Sequence, residues 1–478
     1  MNVARLTHTQ MPSRIFAALL LICLLSLACN KKADSDSSKP KTAKSAWKLP
    51  DEIAQKLEAL RKAGEPTTAE EMRRLYDTPP LATNAAPLYT NAFALLPGYD
   101  TPGGSFLSYG ISNLPPRGAP MPKATLIALT KFCAENTALF DSLKTAALVK
   151  ECRYSLDFPE KLWNMQFSHI VGVRRCAEAM RAYCYLLIER GQTDKAVELL
   201  CDQIALAGSL DRDPFLLSQL SRCACLTPCE LALERLLNRK KLDAPQLARL
   251  ERAVQSLGFK EGFTRALFSE RCSAIVLCQR HAEELKDMDL PGLLGGIEKS
   301  STNSPWWVQL DIQSYRESAT FVQDILFTIQ SNEILIRAVN TPLPEALEVA
   351  KEFASSVRIA QTKHYLFASL FTPSLRGTIG RYAEAEARLR VTRAALAIEK
   401  MRLANNGMLP ENADDPAARS ALSGLTDPFD GEPIRYKRRA ANSYVVYSIG
   451  PDEKDDGGIP KGETKDKKNY DLVLMVTR

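Results

Sequence analysis

Apolar residues recur at a helical period over residues 381–406, and they do so on two sides of the helix. Tyr382, Leu389, Leu396 and Leu403 form one stripe; Ala387, Val391, Ala394, Ile398 and Met401 form another on roughly the opposite side, with charged residues between them. A helix with two apolar stripes is buried between two partners, so the pattern predicts a helical body on one side and a small β-sheet on the other. Asn405, Asn406 and Gly407 supply a left-handed turn that ends the helix, and Pro410 bars its continuation. The period then shifts to alternation. Ile434 and Tyr436 alternate with Arg435 and Lys437, residues 444–449 are rich in aromatic and β-branched side chains, and Leu472, Leu474 and Val476 alternate again. Three strands on one helix make a stable small unit.

Upstream, from near Trp47 to about Arg376, nearly every segment reads as helix. Residues 51–62 place Ile53, Leu57 and Leu60 on one face and end at Gly64; Thr67 and Glu70 are spaced as a capping box for a short helix that follows. Pro79-Pro80 breaks the chain before a helix over 84–96. Residues 97–122, rich in Gly, Pro and Ser, read as a long loop packed over the body, and helices resume over 123–147. Pro159 suits the first turn of a long helix reaching Glu189, which Gly191 ends. Helices over 193–207, 213–237, 243–257 and 262–285 follow with short connections, as antiparallel neighbours require; after a loop over 291–305, helices return over 310–339 and 343–361. Residues 189–196 resemble the joint of tetratricopeptide repeats, but no repeat-length recurrence is sustained. The predicted fold class is mainly α, an irregular helical-pair bundle or array, with a small C-terminal α+β unit of about three antiparallel strands on a long helix.

The first residues carry an address. Arg5 and Arg14 form a basic region, residues 15–28 are an apolar run, and Ser26-Leu27-Ala28-Cys29 resembles a bacterial lipobox with Ser26 and Leu27 exchanged. Acylation of Cys29 would anchor the chain by lipid without a transmembrane span; a plain secretory signal cleaved near Ala28 and an uncleaved anchor are the competing readings. Residues 30–45 hold no large apolar side chain and read as a flexible tether. The expected organisation is a signal segment (1–29), a tether (30–46), a helical domain (47–376) and the C-terminal unit (377–478), placed in the bacterial cell envelope on the periplasmic or outer side.

Composition narrows the function classes. With 478 residues and 45% hydrophobic content the chain can bury a large core, and a formal net charge of +6 is small for that length, which argues against nucleic acid as the main partner. Lys437, Arg438 and Arg439 form a basic hairpin tip, either a solvated turn or a contact for anionic lipid or envelope polymer. Of twelve cysteines, Cys23 and Cys29 belong to the export segment. The other ten lie mostly within helical stretches at core spacings and read as buried free thiols, with a disulfide somewhere in the body as the alternative; the tightest cluster, Cys223, Cys225 and Cys229, lacks the paired turns of a zinc site. Catalytic constellations are thin: His281 and Glu284 are one turn apart without the partners of a di-metal site, His169 and His364 are the other histidines beyond the signal, and no phosphate loop, nucleophile elbow or zinc helix occurs. Trp306-Trp307 is a docking wedge or, in the plainer reading, the core-facing start of a helix.

One stretch resembles a known family. The order of a helix, Asn406-Gly407-Met408-Leu409-Pro410, Asp427-Pro428-Phe429-Asp430-Gly431-Glu432-Pro433-Ile434-Arg435-Tyr436, Tyr447-Ser448-Ile449-Gly450-Pro451-Asp452, Gly457-Gly458 and a closing Asp471 resembles the C-terminal domain of type II secretion major pseudopilins. In that family a loop between the last strands binds Ca²⁺ through aspartates and carbonyls. Carried over, the resemblance implies Asp452 and Asp471 as ligands, with Asp455 or Asp456 as extras. Here the loop is longer and carries Lys461, Lys465, Lys467 and Lys468, whose charge opposes a cation. The N-terminus also departs from the family, whose members keep a long apolar helix as a filament stem. Three functions follow as expectations: a lipid-anchored scaffold that binds an envelope protein or peptide, an accessory or component of a type II secretion or pilus-like apparatus, and an enzyme with a site between helices.

Overall fold

A computed structural model describes residues 49–76, 79–156, 167–279, 312–460, 463 and 470–478. The helices in chain order are α1 (Asp51–Lys62), α2 (Ala69–Leu75), α3 (Ala86–Ala94), α4 (Pro102–Ser108), α5 (Lys123–Glu135), α6 (Thr137–Ala147), α7 (Ser168–Glu189), α8 (Thr193–Gly208), α9 (Leu216–Arg239), α10 (Ala244–Gln255) and α11 (Lys260–Cys278). They continue as α12 (Ile312–Arg316), α13 (Ala319–Asn340), α14 (Glu345–Thr362), α15 (Leu366–Leu375), α16 (Thr378–Ala404) and α17 (Pro416–Ala421). Strands β1 (Arg435–Ala440), β2 (Ser443–Ser448) and β3 (Leu472–Thr477) form one antiparallel sheet in the order β1-β2-β3. The fold is therefore mainly helical with a small C-terminal three-stranded unit.

Helix α16 packs against α9 and α10 on one side and against β2 and β3 on the other. Its apolar stripes account for this: Tyr382, Leu389, Leu396, Val391, Ala394 and Ile398 are all buried, and only the last turn departs, with Leu403 45% exposed. Asn406 and Gly407 both take positive φ, and the Gly407 N–H closes the end onto Arg402 O at 2.8 Å. On the sheet, Tyr436 pairs with Val446, Val446 with Leu474, and Tyr444 with Val476, so one face of all three strands turns toward α16. The Tyr444 hydroxyl donates to Glu399 Oε1 at 3.0 Å. The opposite face, with Val445, Tyr447 and Met475, is covered too. Gly458, at φ +78°, lies so close above it that a Cβ would sit 3.0 Å from Val445 and 3.1 Å from Tyr447. One contiguous hydrophobic cluster runs from Ala85 in the helical body to Val476 in β3.

Several local expectations shift. The capping box is formed by Thr68 and Glu71, one residue beyond Thr67 and Glu70, because Glu71 reaches back to the Thr67 and Thr68 amides together. The loop expected over 97–122 contains α4, capped by Thr101, and a 3₁₀ turn at Gly110–Asn113. Its paired glycines dilute the helical period, yet Gly104 is obligatory, since a Cβ there would meet Gly98 O at 1.9 Å. The helix expected over 123–147 is two helices, broken where the Asn136 side chain donates to Phe132 O at 2.8 Å. Pro159, His281, Glu284, Trp306, Trp307, Cys29 and the tether lie outside the described residues.

Irregular segments are fastened to the body by buried arginines. Arg235, fully buried on α9, donates to the carbonyls of Pro115, Arg117 and Ala119, pairs with Glu189 at 2.5 Å, and lies over the Tyr185 ring. A planar fork of donors can serve a loop and a helix at once, which an ammonium cannot. Arg271 does the same for the turn at Glu65 and Pro66, and Arg222 for Asp211 and Gly258. Arg235→Leu leaves Glu189 and three loop carbonyls without their donor and is expected to cost about 3–5 kcal/mol, with Arg235→Lys intermediate. Denaturant unfolding measures this; a loss below about 1 kcal/mol, the scale of an exposed pair, would refute the tie.

Candidate functional site

Asp427, the first residue of the Asp-Pro-Phe-Asp-Gly motif, is fully buried. Its Oδ1 accepts from the Phe429 amide at 3.1 Å and the Ser448 hydroxyl at 2.8 Å; its Oδ2 accepts from the Ile449 amide at 2.9 Å and Arg435 at 2.7 Å. Four donors from a turn and two strands thus meet on one carboxylate, which fixes how the turn enters the sheet. Burial raises its pKa, opposed by those donors. Asp427 is a structural hub.

The acidic loop follows. Asp471 is buried, and its carboxylate accepts from the amides of Gly458 at 2.7 Å, Ile459 at 3.2 Å and Asp456 at 3.3 Å. Asp455 accepts from the Gly457 amide at 2.8 Å and lies 3.7 Å from the Arg435 guanidinium. Asp452 Oδ2 and Asp456 Oδ2 are buried oxygens without a hydrogen-bond partner. Among the described residues no three side chains of the ligating types converge as a metal group. Asp452 and Asp456 thus each keep one buried oxygen uncommitted, while Asp471 is engaged by amides. Lys461, Lys465, Lys467 and Lys468 lie outside the described residues.

Histidine chemistry centres on a pair the sequence did not bring together. His169, on the first turn of α7, meets Asp213 at 2.6 Å; Asp213 also accepts from Ser218 at 3.0 Å and Tyr76 at 3.1 Å, and the His169 ring stacks on Tyr154. The Ser218 hydroxyl donates to the aspartate, so Ser218 is not a nucleophile activated by the imidazole. The network joins the Tyr154 segment, α7 and the start of α9. The ten body thiols are free, and burial raises the clustered ones, Cys223 and Cys225 to about 12, which leaves them as unreactive thiols. Cys229 donates weakly to Cys225 O on its own helix.

A cleft of about 100 Å³ opens where α9, α16 and β3 meet, lined by Thr227, Glu230, Glu234, Arg388, Thr392 and residues 472–474. Arg388 pairs with Glu230 at 2.8 Å and Glu384 at 3.2 Å. Glu230 Oε1 is buried with no partner, and burial raises this carboxyl against the pull of Arg388. Glu234 accepts from the Met475 amide at 2.9 Å, and Asn238 donates to Met475 O and accepts from the Thr477 amide, each at 2.7 Å. Side chains of α9 thus stand in for a fourth strand along the edge of β3. Only the i,i+4 pair Glu384 and Arg388 was legible locally; Glu230, Glu234 and Asn238 are spaced as an ordinary polar helix stripe.

The hairpin tip is exposed at Lys437 and Arg438, while Arg439 donates to the carbonyls of Gly457 and Gly458 and so holds the acidic loop. Among the described residues no helix is long and apolar enough to cross a membrane. Comparison with protein-family models, curated proteins and solved structures gives no match for this chain.

Two buried carboxyls carry a pH signature. Burial pushes Asp471 and Asp324 up to about 6 despite the amides they accept from, Asp324 those of Phe367 and Ala368 at the start of α15. A folded-state value above the unfolded 3.8 means the folded chain holds the proton more tightly; this contribution is full below about pH 4 and is lost as pH rises through about 6. Carboxyl NMR titration should find both midpoints near 6. Midpoints at the ordinary aspartate value would show that the amide donors outweigh burial.

Proposed function

We propose that this chain is an exported envelope protein, held at a membrane surface by lipid on Cys29, whose folded body is a non-enzymatic scaffold for an envelope protein or peptide. The observation that carries the reading is how its polar groups are used. Asp427, Asp213, Arg235 and Arg271 each tie separate segments together, and the C-terminal unit is joined to the helical body along both α16 and the edge of β3. Ties of this kind suit a rigid platform on a tether. Substituting Cys29 by Ala should move the mature protein from the membrane fraction to the soluble fraction and abolish metabolic labelling with a fatty-acid probe. Retention in the membrane with no label in the parent protein would refute the anchor.

A second reading, an accessory or component of a type II secretion or pilus-like apparatus, draws on the Asp427 turn and the Gly458–Asp471 contact, which give physical roles to the residues that resemble pseudopilins. Against a filament subunit stands α16, which is buried on both sides and leaves no free stem ahead of the sheet. Calcium belongs to this reading. Asp452 and Asp456 would contribute their uncommitted oxygens, and a bound cation would neutralise the charge gathered around Asp471. In the full chain, calcium should raise the unfolding midpoint by mass action, and an Asp452→Ala, Asp456→Ala double variant should remove the response. A calcium response unchanged in that variant would place any cation elsewhere.

A further inference from the structure

The end of α16 carries the one Asn-Gly step in the sequence, Asn406-Gly407. Both residues are exposed, and both take positive φ, 51° at Asn406 and 89° at Gly407, as the left-handed turn that closes the helix requires. The preceding asparagine is occupied on its own helix, where Asn405 Nδ2 donates to Met401 Sδ at 3.1 Å. Gly407 has no side chain to shield its amide nitrogen from the Asn406 carboxamide beside it. What holds that nitrogen is Arg402. The Gly407 N–H donates to Arg402 O at 2.8 Å, and Gly407 O accepts from Arg402 Nε at 3.1 Å, so one residue grips both polar groups of the glycine. Arg402 is buried and is fixed in turn by Asn442 Oδ1 at 3.0 Å and by Glu399 at 3.6 Å.

We propose that Asn406 is a site of self-modification by deamidation, held latent in the folded chain by Arg402. The reaction needs only water. The Gly407 nitrogen gives up its proton to solvent and attacks Asn406 Cγ; a new C–N bond forms, the carboxamide C–N bond breaks, and the side-chain nitrogen leaves as ammonia. Water then opens the cyclic imide at either carbonyl, giving aspartate or, where the chain now runs through Cβ, isoaspartate. In the folded chain the Gly407 N–H is committed to Arg402 O, so the nitrogen is neither free to lose its proton nor free to turn toward Cγ. The reaction waits for the last turn of α16 to open, and its rate is the unfolded rate scaled by the open fraction. The product does not refit. A carboxylate at position 406 meets the negative end of the helix dipole, and isoaspartate lengthens the backbone inside the turn that Arg402 grips. Because Arg402 also holds Asn442, the change loosens the turn between β1 and β2 as well. The site is independent of the scaffold reading.

The test incubates the full chain at mildly alkaline pH, folded in buffer and unfolded in denaturant at the same pH and temperature. Peptide mass spectrometry, with aspartate and isoaspartate separated by chromatography, follows each asparagine. Unfolded, Asn406 should deamidate faster than any other asparagine and yield both products. Folding should slow it by about a hundredfold, the scale of two hydrogen bonds of which one has a charged donor. Arg402→Ala, which keeps the backbone carbonyl and removes the guanidinium, should raise the folded rate by about tenfold. Asn442→Ala, at an exposed turn, should raise it less, and it carries the test of the clamp if Arg402→Ala fails to fold. Equal rates in the folded and unfolded chain, a faster site at another asparagine in the unfolded chain, or a folded rate unmoved in the variants overturns the proposal.

Discussion

The edge of β3 is the constraint on which the C-terminal half depends. A three-stranded sheet exposes two edges, and a bare row of amides and carbonyls invites pairing with another chain. Here Glu234 and Asn238 satisfy that row at Met475 and Thr477, so α9 must lie alongside β3, and α16 must fill the space between α9 and the sheet. The apolar stripes of α16 follow from this position. So does the continuity of the core from the helical body into the sheet. A sheet that packed on α16 alone would keep its register through the Tyr436, Tyr444 and Val446 face, but its edge would remain open.

The same logic governs the helical body. Long helices satisfy their own backbone, whereas the turns at Pro66, Pro115–Ala119 and Gly258 have carbonyls that face inward. A buried guanidinium meets several such carbonyls with one side chain and brings its charge to a carboxylate at the same time. Arg235, Arg271 and Arg222 are each buried on a helix, so their loss leaves inward-facing carbonyls without a donor. Their cost to the folded state is desolvation, and their effect is to select one arrangement of the turns.

How much of this was readable depends on whether the signal is local. The period of α16, the stop at Gly407 and the alternation of the strands are local, and they led to the correct fold class and the burial of α16 on two sides. The glycine-rich α4 was missed because Gly103 and Gly104 remove the apolar positions by which a helix is recognised, although close packing demands a glycine at 104. The capping box moved by one residue because Glu71 answers two amides. His169 was visible as a residue, but its partner Asp213 is distant in sequence, and pairing across elements leaves no periodic trace. The aspartates of the acidic loop were found through resemblance; their division into amide-bound Asp471 and uncommitted Asp452 and Asp456 appears only in three dimensions.

The cleft follows from a conflict over one side chain. Glu230 stands in line to complete the edge of β3, yet it also faces Arg388, which α16 brings in with Glu384 one turn away. A guanidinium between two carboxylates in a largely buried position is a stronger demand than a single backbone amide, because stranding the charge costs more than stranding the amide. The ion pair wins: Arg388 holds Glu230, and among the described residues Glu230 makes no bond to β3, while Glu234 and Asn238 hold Met475 and Thr477. An opening made this way has fixed walls, since the residues that created it are held by the packing of α16 between body and sheet.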